Sequence, residues 1–562
     1  MKKFSLLVAV LLWISVPSFG MQRPSPEQLD AYRKDETFAK RAAFAKSIGN
    51  NKFSTGAAAR LRRNLRIKSL MQMGATREQA AVMAPPPAWR GMPTSGTPKI
   101  LVLLIAFSDY VHTNSSTTVN TKIFGAGAGD YPYESLTNFY SRSSYGLLTI
   151  QGATLGWYNT AALRSAIPQT DAGREALIKQ AIGYFDGQGH DFTQYDNDGD
   201  GAVDYFAVIW TGPDTGWADF WWAYQTSFSD ASYLVDGKKL GSYSWQWESN
   251  PAGGAFSPLT LIHETGHALG LPDYYDYDDA IGPGGGVGGL DMMDDDWGDH
   301  NAFSKFMLDW LSPVNSSGGS LVGALRPSDA YADAIKVMSD SVTGEIFNEF
   351  YMAQNRRQSG NDQELPGNGL LIWHVDARLN GIGLDFAYDN SYTEHKLLRL
   401  MEADGLEEIE ANGVADSGDY YTAGKNFSPT TVPNSNKYDG VYTGISFSNI
   451  GGTSDSRTFD YYVMSANNLV TVTNNLFRPL KGGKCTLDVT ALRAGNVTIK
   501  AYTANGGLVK TIFDGPVNAG PLTPAPTWDG RNDSGAVVAS GLYLVHVSGP
   551  GVNKTEKLVL IK

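Results

Sequence analysis

From His263 to Asp276 the chain reads His-Glu-Thr-Gly-His-Ala-Leu-Gly-Leu-Pro-Asp-Tyr-Tyr-Asp. Its first five residues combine two metal-ligating imidazoles with a carboxylate able to move a proton. Read as a helix, with Ser257 as N-cap, Pro258 as first helical residue and Gly270 as the break, the stretch puts His263 and His267 on one face. Imidazoles four residues apart can meet one tetrahedral zinc ion, with Glu264 beside them as the base that deprotonates water. Gly270 permits a sharp turn that can bring Asp273 round as a third, oxygen ligand, and Asp276 lies close enough to compete. The plainer alternative is a buried helix that happens to carry these residues, but the chain has only eight histidines in all.

A second arrangement, Asp196-Asn-Asp198-Gly-Asp200-Gly-Ala-Val-Asp204, has carboxylates at positions one, three, five and nine with glycines for a tight wrap. That spacing suits a calcium ion held by hard oxygens, with the Ala202 carbonyl as a further donor. The glutamate that closes an EF-hand at position twelve is missing, which favours a structural ion over a regulated sensor; an acidic surface turn is the alternative. Downstream, Leu290-Asp-Met-Met-Asp294 follows a glycine run, Gly282 to Gly289, that lacks the Lys-Ser or Lys-Thr of a phosphate loop. In metzincins a methionine turn lies beneath the metal, and Met293 fits that part, with Met292 as a core residue. His112, His190, His300, His374, His395 and His546 lack ligand spacing and are expected on the surface or in packing. There is no Gly-x-Ser-x-Gly elbow, and Cys485 sits in a strand-like run, so nucleophilic catalysis is disfavoured.

The elements that must position these groups follow. Lys99 to Phe107 reads as a fully buried strand, Ser135 to Gly146 as a short helix and turn, Glu175 to Phe185 as a helix, and Tyr205 to Trp210 as a second buried strand. With the zinc helix they make a mixed α/β catalytic unit over residues 98–315. Beyond Pro313 short alternating runs with Gly, Asn and Asp turns predict an all-β accessory region over 316–465. Residues 466–562, with alternating runs at Asn496 to Tyr502 and Gly541 to Val547, predict a small β-sandwich.

Charge is uneven. Met21 to Arg90 carries fourteen basic and five acidic residues, whereas Gly91 to Lys562 carries twenty-nine basic and fifty-three acidic. A basic head with helical runs at Ala31 to Ser47 and Ala57 to Gln72, closed by Pro85-Pro86-Pro87, fits a propeptide over 21–97 docked on an acidic body. A solvated helical arm is the bland alternative, and nucleic-acid binding is disfavoured because aromatic interleaving is missing. Lys2 and Lys3 before the apolar run Leu6 to Val16, then Ser18 and Gly20, form a signal peptide over 1–20. No later run reaches membrane-spanning length. With one cysteine, Cys485, neither an intrachain disulfide nor a cysteine cap on the zinc is available.

The zinc motif with its Asp-Tyr-Tyr-Asp extension resembles the signature of the immune inhibitor A family of secreted bacterial metallopeptidases. Ser143 to Ile150, Tyr195 to Asp204, Leu290 to Asp294 and Gly369 to Asp376 are similar to blocks of that family in the same order, over roughly Pro98 to Met464. The resemblance implies a zincin-like, metzincin-type fold and a secreted zinc endopeptidase of protein substrates, with His263 and His267 as ligands and Glu264 as base. Asp273 matches the aspartate that replaces a third histidine. Thr527 to Tyr543 resembles the immunoglobulin-like module of flagellar hook-capping proteins, implying a targeting or spacing role. The expectation is therefore a latent, calcium-stabilised monomeric zinc endopeptidase; the competing one is a catalytically silent calcium-dependent adhesion or scaffold protein that keeps the fold.

Overall fold

The computed structural model describes residues 24–84, 89, 91–125, 129–277, 286–295, 297–316, 318–338, 346–391, 395–411, 413–464 and 468–562. The signal-peptide segment, the Pro85 to Pro87 linker and part of the glycine run lie outside them. The described chain is multidomain and mostly β, with several sheets.

The sheet nearest the zinc motif comprises β1 (Lys99–Ala106), β2 (Gln151–Asn159), β3 (Ala202–Trp210), β4 (Tyr224–Ser227) and β5 (Lys239–Trp247), ordered β2-β1-β3-β5-β4. All neighbours run parallel except β4, which pairs antiparallel with β5 at the edge. β1 is a near-continuous apolar run because both of its faces are covered. Ile100, Val102 and Leu104 join one core, and Leu101, Leu103 and Ile105 the other, as the period of two demands. The second core is filled by Leu177, Ile178, Ala181 and Ile182 of the helix Asp171–Asp186, four residues longer at its start than expected because Thr170 caps it on Gly173 N–H. The first core receives Leu261 and Ile262 of the zinc-motif helix, Leu259–Ala268.

The basic head forms four helices: Pro26–Lys34, Phe38–Ile48, Ala57–Gln72 and Arg77–Met83. The run Ala31 to Ser47 is therefore two helices rather than one. Asp35 Oδ1 accepts from both the N–H and the hydroxyl of Thr37 (3.0 and 2.6 Å), and Glu36 turns left-handed at φ 61°. Side chains that bond the local backbone offer it an alternative to the helix.

Beyond Pro313 two sheets follow, and the central strands Glu349–Arg356 and Gly369–Asp376 are buried on both faces. Phe350, Met352, Leu371 and Trp373 enter the same core as Leu261 and Ile262, while Tyr351, Ala353, Leu370 and Ile372 pack toward the other sheet. Residues 470–560 build a separate immunoglobulin-like sandwich with its own core around Trp528 and the buried Cys485. It meets the preceding sheet through Tyr442 N–H to Leu492 O (2.9 Å) and Arg493 to Asp439 (2.8 Å). Among the described residues no helix is long and apolar enough to cross a membrane.

Candidate metal centre

The zinc-motif helix begins one residue later than its sequence suggests. Pro258 is the N-cap, and the Ser257 hydroxyl accepts only a long 3.4 Å bond from Leu259 N–H. At the other end Gly270 adopts φ +104°, the left-handed conformation that turns the chain back. Consequently, one donor atom each from His263, His267 and Asp273 fall within 4.8 Å of one another, and Asp276, though buried, is not among them.

The hydrogen bonds of the two imidazoles decide what this cluster can hold. His263 Nδ1 lies 2.9 Å from the Met292 carbonyl, and His267 Nδ1 lies 2.9 Å from the Leu271 carbonyl. A carbonyl only accepts, so Nδ1 carries the proton in each ring and Nε2 presents a lone pair. Both Nε2 atoms face Asp273 Oδ1, at 2.9 and 3.4 Å. Three acceptors converging in a pocket where every one of these residues is at most 2 % exposed need a cation or a proton between them. Tetrahedral zinc with bonds of about 2.0–2.1 Å spaces its ligand atoms by roughly 3.3 Å, close to these separations. Burial alone would push the Asp273 carboxyl up, but positive charge at the His267 and His263 rings, supplied in an ion-free pocket by a proton, outweighs it and holds it well below the ordinary carboxylate range. Its other oxygen accepts from the Tyr277 hydroxyl. The donor set, two neutral imidazoles and one carboxylate oriented by outer hydrogen bonds, fits zinc. Glu264 is fully buried in the same turn of helix.

Met293 packs directly against this helix. A Cβ placed on Gly266 would lie 2.3 Å from Met293 Sδ, so the motif's glycine is what admits the methionine. The turn that carries it is tied at several points: Met293 N–H donates to Asp291 Oδ1 (2.8 Å), Tyr274 N–H to Met293 O (2.8 Å), and Val287 and Gly289 N–H to Asp294 Oδ2 (3.1 and 2.6 Å). Met292 does more than fill the core, since its carbonyl orients His263.

The basic head lies across the cleft. Asp273 N–H donates to Asn50 O (2.7 Å), Ser54 N–H to Gly270 O (3.1 Å), and the buried Arg60 guanidinium to Leu269 O (2.9 Å). With its amide oriented by its neighbours, the Asn50 side chain donates to Gln225 O (3.1 Å) and accepts from Gln225 N–H (3.3 Å), pairing with the edge strand β4 as another strand would. A cavity of about 550 Å³ remains there, lined by Asn50, Phe53 and Trp89 on one side and Gln225, His267 and Leu271 on the other. Farther out, Lys68 pairs with Asp309 (2.6 Å) and Arg41 donates to Trp217 O (2.5 Å).

The second cluster also forms. Donor oxygens of Asp196, Asp198, Asp200 and Asp204 lie within 4.8 Å of one another, wrapped by Gly199 and Gly201 at φ 77° and 94°. Burial pushes Asp204 up to about 7 despite bonds from Asn197, and pushes Asp198 up as well with Asp200 and Asp196 adding to it. Lys238 Nζ reaches Asp196 Oδ2 (2.6 Å), supplying one positive charge to a loop of four carboxylates. Asp196 Oδ1 is buried and accepts no hydrogen bond. Sequence reasoning did not find Lys238, Tyr277 or Asn50. Tyr277, four residues past Asp273, carried a local signal, while the other two are brought in by tertiary contacts.

Of the remaining histidines, His374 is buried between Tyr351 and Tyr438 (centroids 4.4 and 4.2 Å), with Nε2 3.0 Å from Glu349. His300 packs in the core beside Asp291, and His112 stacks on Trp157.

Residues 475–551 match the FlgD Ig-like domain family. Over 232 residues the chain is 24% identical to immune inhibitor A of Bacillus thuringiensis subsp. alesti, a match covering 32% of this chain and 34% of that protein. The chain thus spans about a third of the length of the relative it matches. Among solved structures it is similar to dimeric latent PorU of Porphyromonas gingivalis, at 14% identity over 40% of this chain and 22% of that one, with a TM-score of 0.13. It is also similar to PorZ, a surface component of the type-IX secretion system of the same organism, at 12% identity over 41% and 37% of the chains, with a TM-score of 0.15. Scores that low say nothing about the arrangement described above.

Proposed function

We propose that this chain is a secreted zinc endopeptidase of the metzincin type, held latent by its own N-terminal segment. The observation that carries the reading is the meeting of two imidazole lone pairs and a carboxylate oxygen in a buried pocket, one helical residue from Glu264. The parallel sheet with an antiparallel edge strand beside the zinc-motif helix supports a zincin-like unit over 98–315. The distant likeness to immune inhibitor A agrees with the resemblance of the motif blocks.

His263, His267 and Asp273 would hold a zinc ion, whose chemistry there would be to polarise a peptide carbonyl and to lower the pKa of water to about 7. Glu264 takes the proton of the attacking water and passes it to the leaving amine. The Met292 and Leu271 carbonyls fix both imidazole tautomers before substrate arrives, and Met293 fixes the helix against the turn. An extended substrate has an edge to pair with in β4, the edge that Asn50 occupies. Residues 21–97 act as a propeptide on this reading, since Asn50, Ser54 and Trp89 fill the cleft a substrate needs. The loop at Asp196 to Asp204 holds a structural calcium ion, stiffening the entry to β3 in a chain without disulfides.

The test is casein hydrolysis by the full chain, by the chain cut ahead of Lys99, and by the cut Glu264→Gln variant. The full chain should be inert and the cut chain active. The variant should lose roughly 10²–10⁴-fold with one zinc still bound, the usual range for removing a general base. Full activity in Glu264→Gln with unchanged zinc refutes the assignment. Bound zinc without cleavage in any form favours the silent scaffold.

A further inference from the structure

Four carboxylates that no motif announced meet in the β-rich half. Glu402 and Asp404 stand at the start of the loop Glu-Ala-Asp-Gly-Leu-Glu-Glu, Glu408 at its end, and Asp419 at the end of the short 3-10 turn Ser417–Asp419. One oxygen from each falls within 4.8 Å of the others. Acidic clusters are common at surfaces, but half of this one lies in the interior: Glu402 is 1 % exposed and Asp419 is fully buried, with Asp404 and Glu408 partly buried beside them. Both carboxylate oxygens of Glu402, Oε2 of Glu408 and Oδ1 of Asp419 are buried and accept no hydrogen bond. The neighbouring cations are committed elsewhere. Arg399 donates to Glu407 (2.6 Å) and pairs with Glu410 (3.2 Å), and Lys396 pairs with Glu410 (3.0 Å).

We propose that Glu402, Asp404, Glu408 and Asp419 form a second calcium site, which fastens the β-rich half to the turn behind His263. Asp419 Oδ2 accepts from Asp416 N–H (2.7 Å) and Asp404 Oδ1 from Leu406 N–H (3.0 Å), but four carboxylates this close, two of them buried, are tolerable only with a compensating ion or with protons, and a hard divalent cation satisfies the remaining oxygens together. An all-oxygen set drawn from four carboxylates suits calcium, which takes about 6–8 oxygen ligands, whereas magnesium keeps several waters and is bound through one or two carboxylates. The backbone at Gly418 lies close against the site, since a Cβ there would come 2.5 Å from Asp404 Oδ2.

The same loop carries its effect toward the zinc ligands. Ile409 packs on Gly288, where an added Cβ would lie 2.6 Å from Ile409 Cδ1, and Ala415 N–H donates to Gly288 O (2.9 Å). Lys396 donates to Gly286 O (3.0 Å). Gly286 to Gly289 is the turn that Asp294 ties down, and Met292, whose carbonyl orients His263, lies between the two. An ion that closes the loop over 402–419 therefore buttresses the outer support of His263. The inference stands apart from the peptidase reading, because it concerns calcium and not turnover.

Calcium binding to the full chain, measured by equilibrium dialysis with radioactive calcium, tests it. Wild type should bind two ions per chain, Asp198→Ala/Asp200→Ala one, and Glu402→Gln/Asp419→Asn one. All four substitutions together should bind none. Because neutralising two buried groups can unfold the loop, Asp404→Asn serves as the mild variant; Asp404 is only partly buried. It should weaken one of the two calcium constants at least tenfold with the circular dichroism spectrum unchanged. Loss of all calcium in Asp198→Ala/Asp200→Ala, or wild-type binding in both Glu402→Gln/Asp419→Asn and Asp404→Asn, overturns the proposal.

Discussion

Replacing Gly270 with alanine tests whether the turn after the zinc helix, and the packing of the N-terminal segment upon it, have the importance ascribed to them. Gly270 sits at φ +104°, and an added Cβ would lie 2.6 Å from Trp89 Cη2 and 3.2 Å from its Cζ3. The left-handed backbone costs an ordinary residue about 1–2 kcal/mol. Forcing a methyl into the indole adds about 1–3 kcal/mol, as overpacking does elsewhere. Against this, alanine narrows the unfolded ensemble by about 0.4–1 kcal/mol. Mid-range values leave a net loss of about 3 kcal/mol, roughly a hundredfold in the folded-to-unfolded ratio. The indole is held in place by Arg60, which stacks on it at 4.1 Å, and lies close against the backbone at Gly91. Urea unfolding followed by circular dichroism measures the loss, and a double-mutant cycle with Trp89→Ala apportions it. The ring term should vanish in the double variant and the backbone term persist, giving a coupling of about 2 kcal/mol. A Gly270→Ala chain as stable as wild type, or a cycle with no coupling, refutes the geometry on which Asp273's position depends.

Other outcomes follow from the same structure. Asp273→Asn should lower zinc affinity by more than tenfold in a chelator competition, while Asp276→Asn leaves it within a few-fold; the reverse ranking would move the third ligand to Asp276. Burial holds the His374 imidazole below its ordinary pKa even though Glu349 beside it pulls the other way. The unfolded chain therefore binds this proton first as pH falls, so stability is full above about 6.5 and declines below it by up to about 1.4 kcal/mol per pH unit. His374→Phe, which keeps the stack between Tyr351 and Tyr438, should flatten that acid limb in denaturation curves taken between pH 7 and 5; an unchanged slope would show that the group does not titrate with folding.

What could be read from sequence was whatever local spacing dictates. His263, Glu264 and His267 are fixed by one helical turn, the glycine at 270 by its need for a left-handed backbone, and the Asp196 to Asp204 wrap by alternation of acid and glycine. β1 was legible because a run buried on both faces has no polar residue to confuse it. The misses have a common cause. The acidic cluster of Glu402, Asp404, Glu408 and Asp419 joins residues seventeen apart through a loop of no fixed period, and Asn50 reaches Gln225 only because the basic head folds back on the sheet. Helix starts moved by one to four residues where a cap or a proline competed for the first turn, as at Pro258 and Thr170. The break at Asp35 to Thr37 falls in the polar run Arg33 to Thr37 between Tyr32 and Phe38, and the hydrogen bonds of Asp35 to Thr37 decide it.

The core that joins Leu261 and Ile262 to Phe350, Met352, Leu371 and Trp373 has a bearing on how this protein can change over time. The strands behind the His263, His267 and Asp273 cluster are not an appended module, because one side of the sheet is the floor on which the helix Leu259–Ala268 rests. Insertions and losses are therefore expected to accumulate on its outer loops and in the C-terminal sandwich, which has a core of its own, while the strands Glu349–Arg356 and Gly369–Asp376 are held to the same constraints as the helix they support.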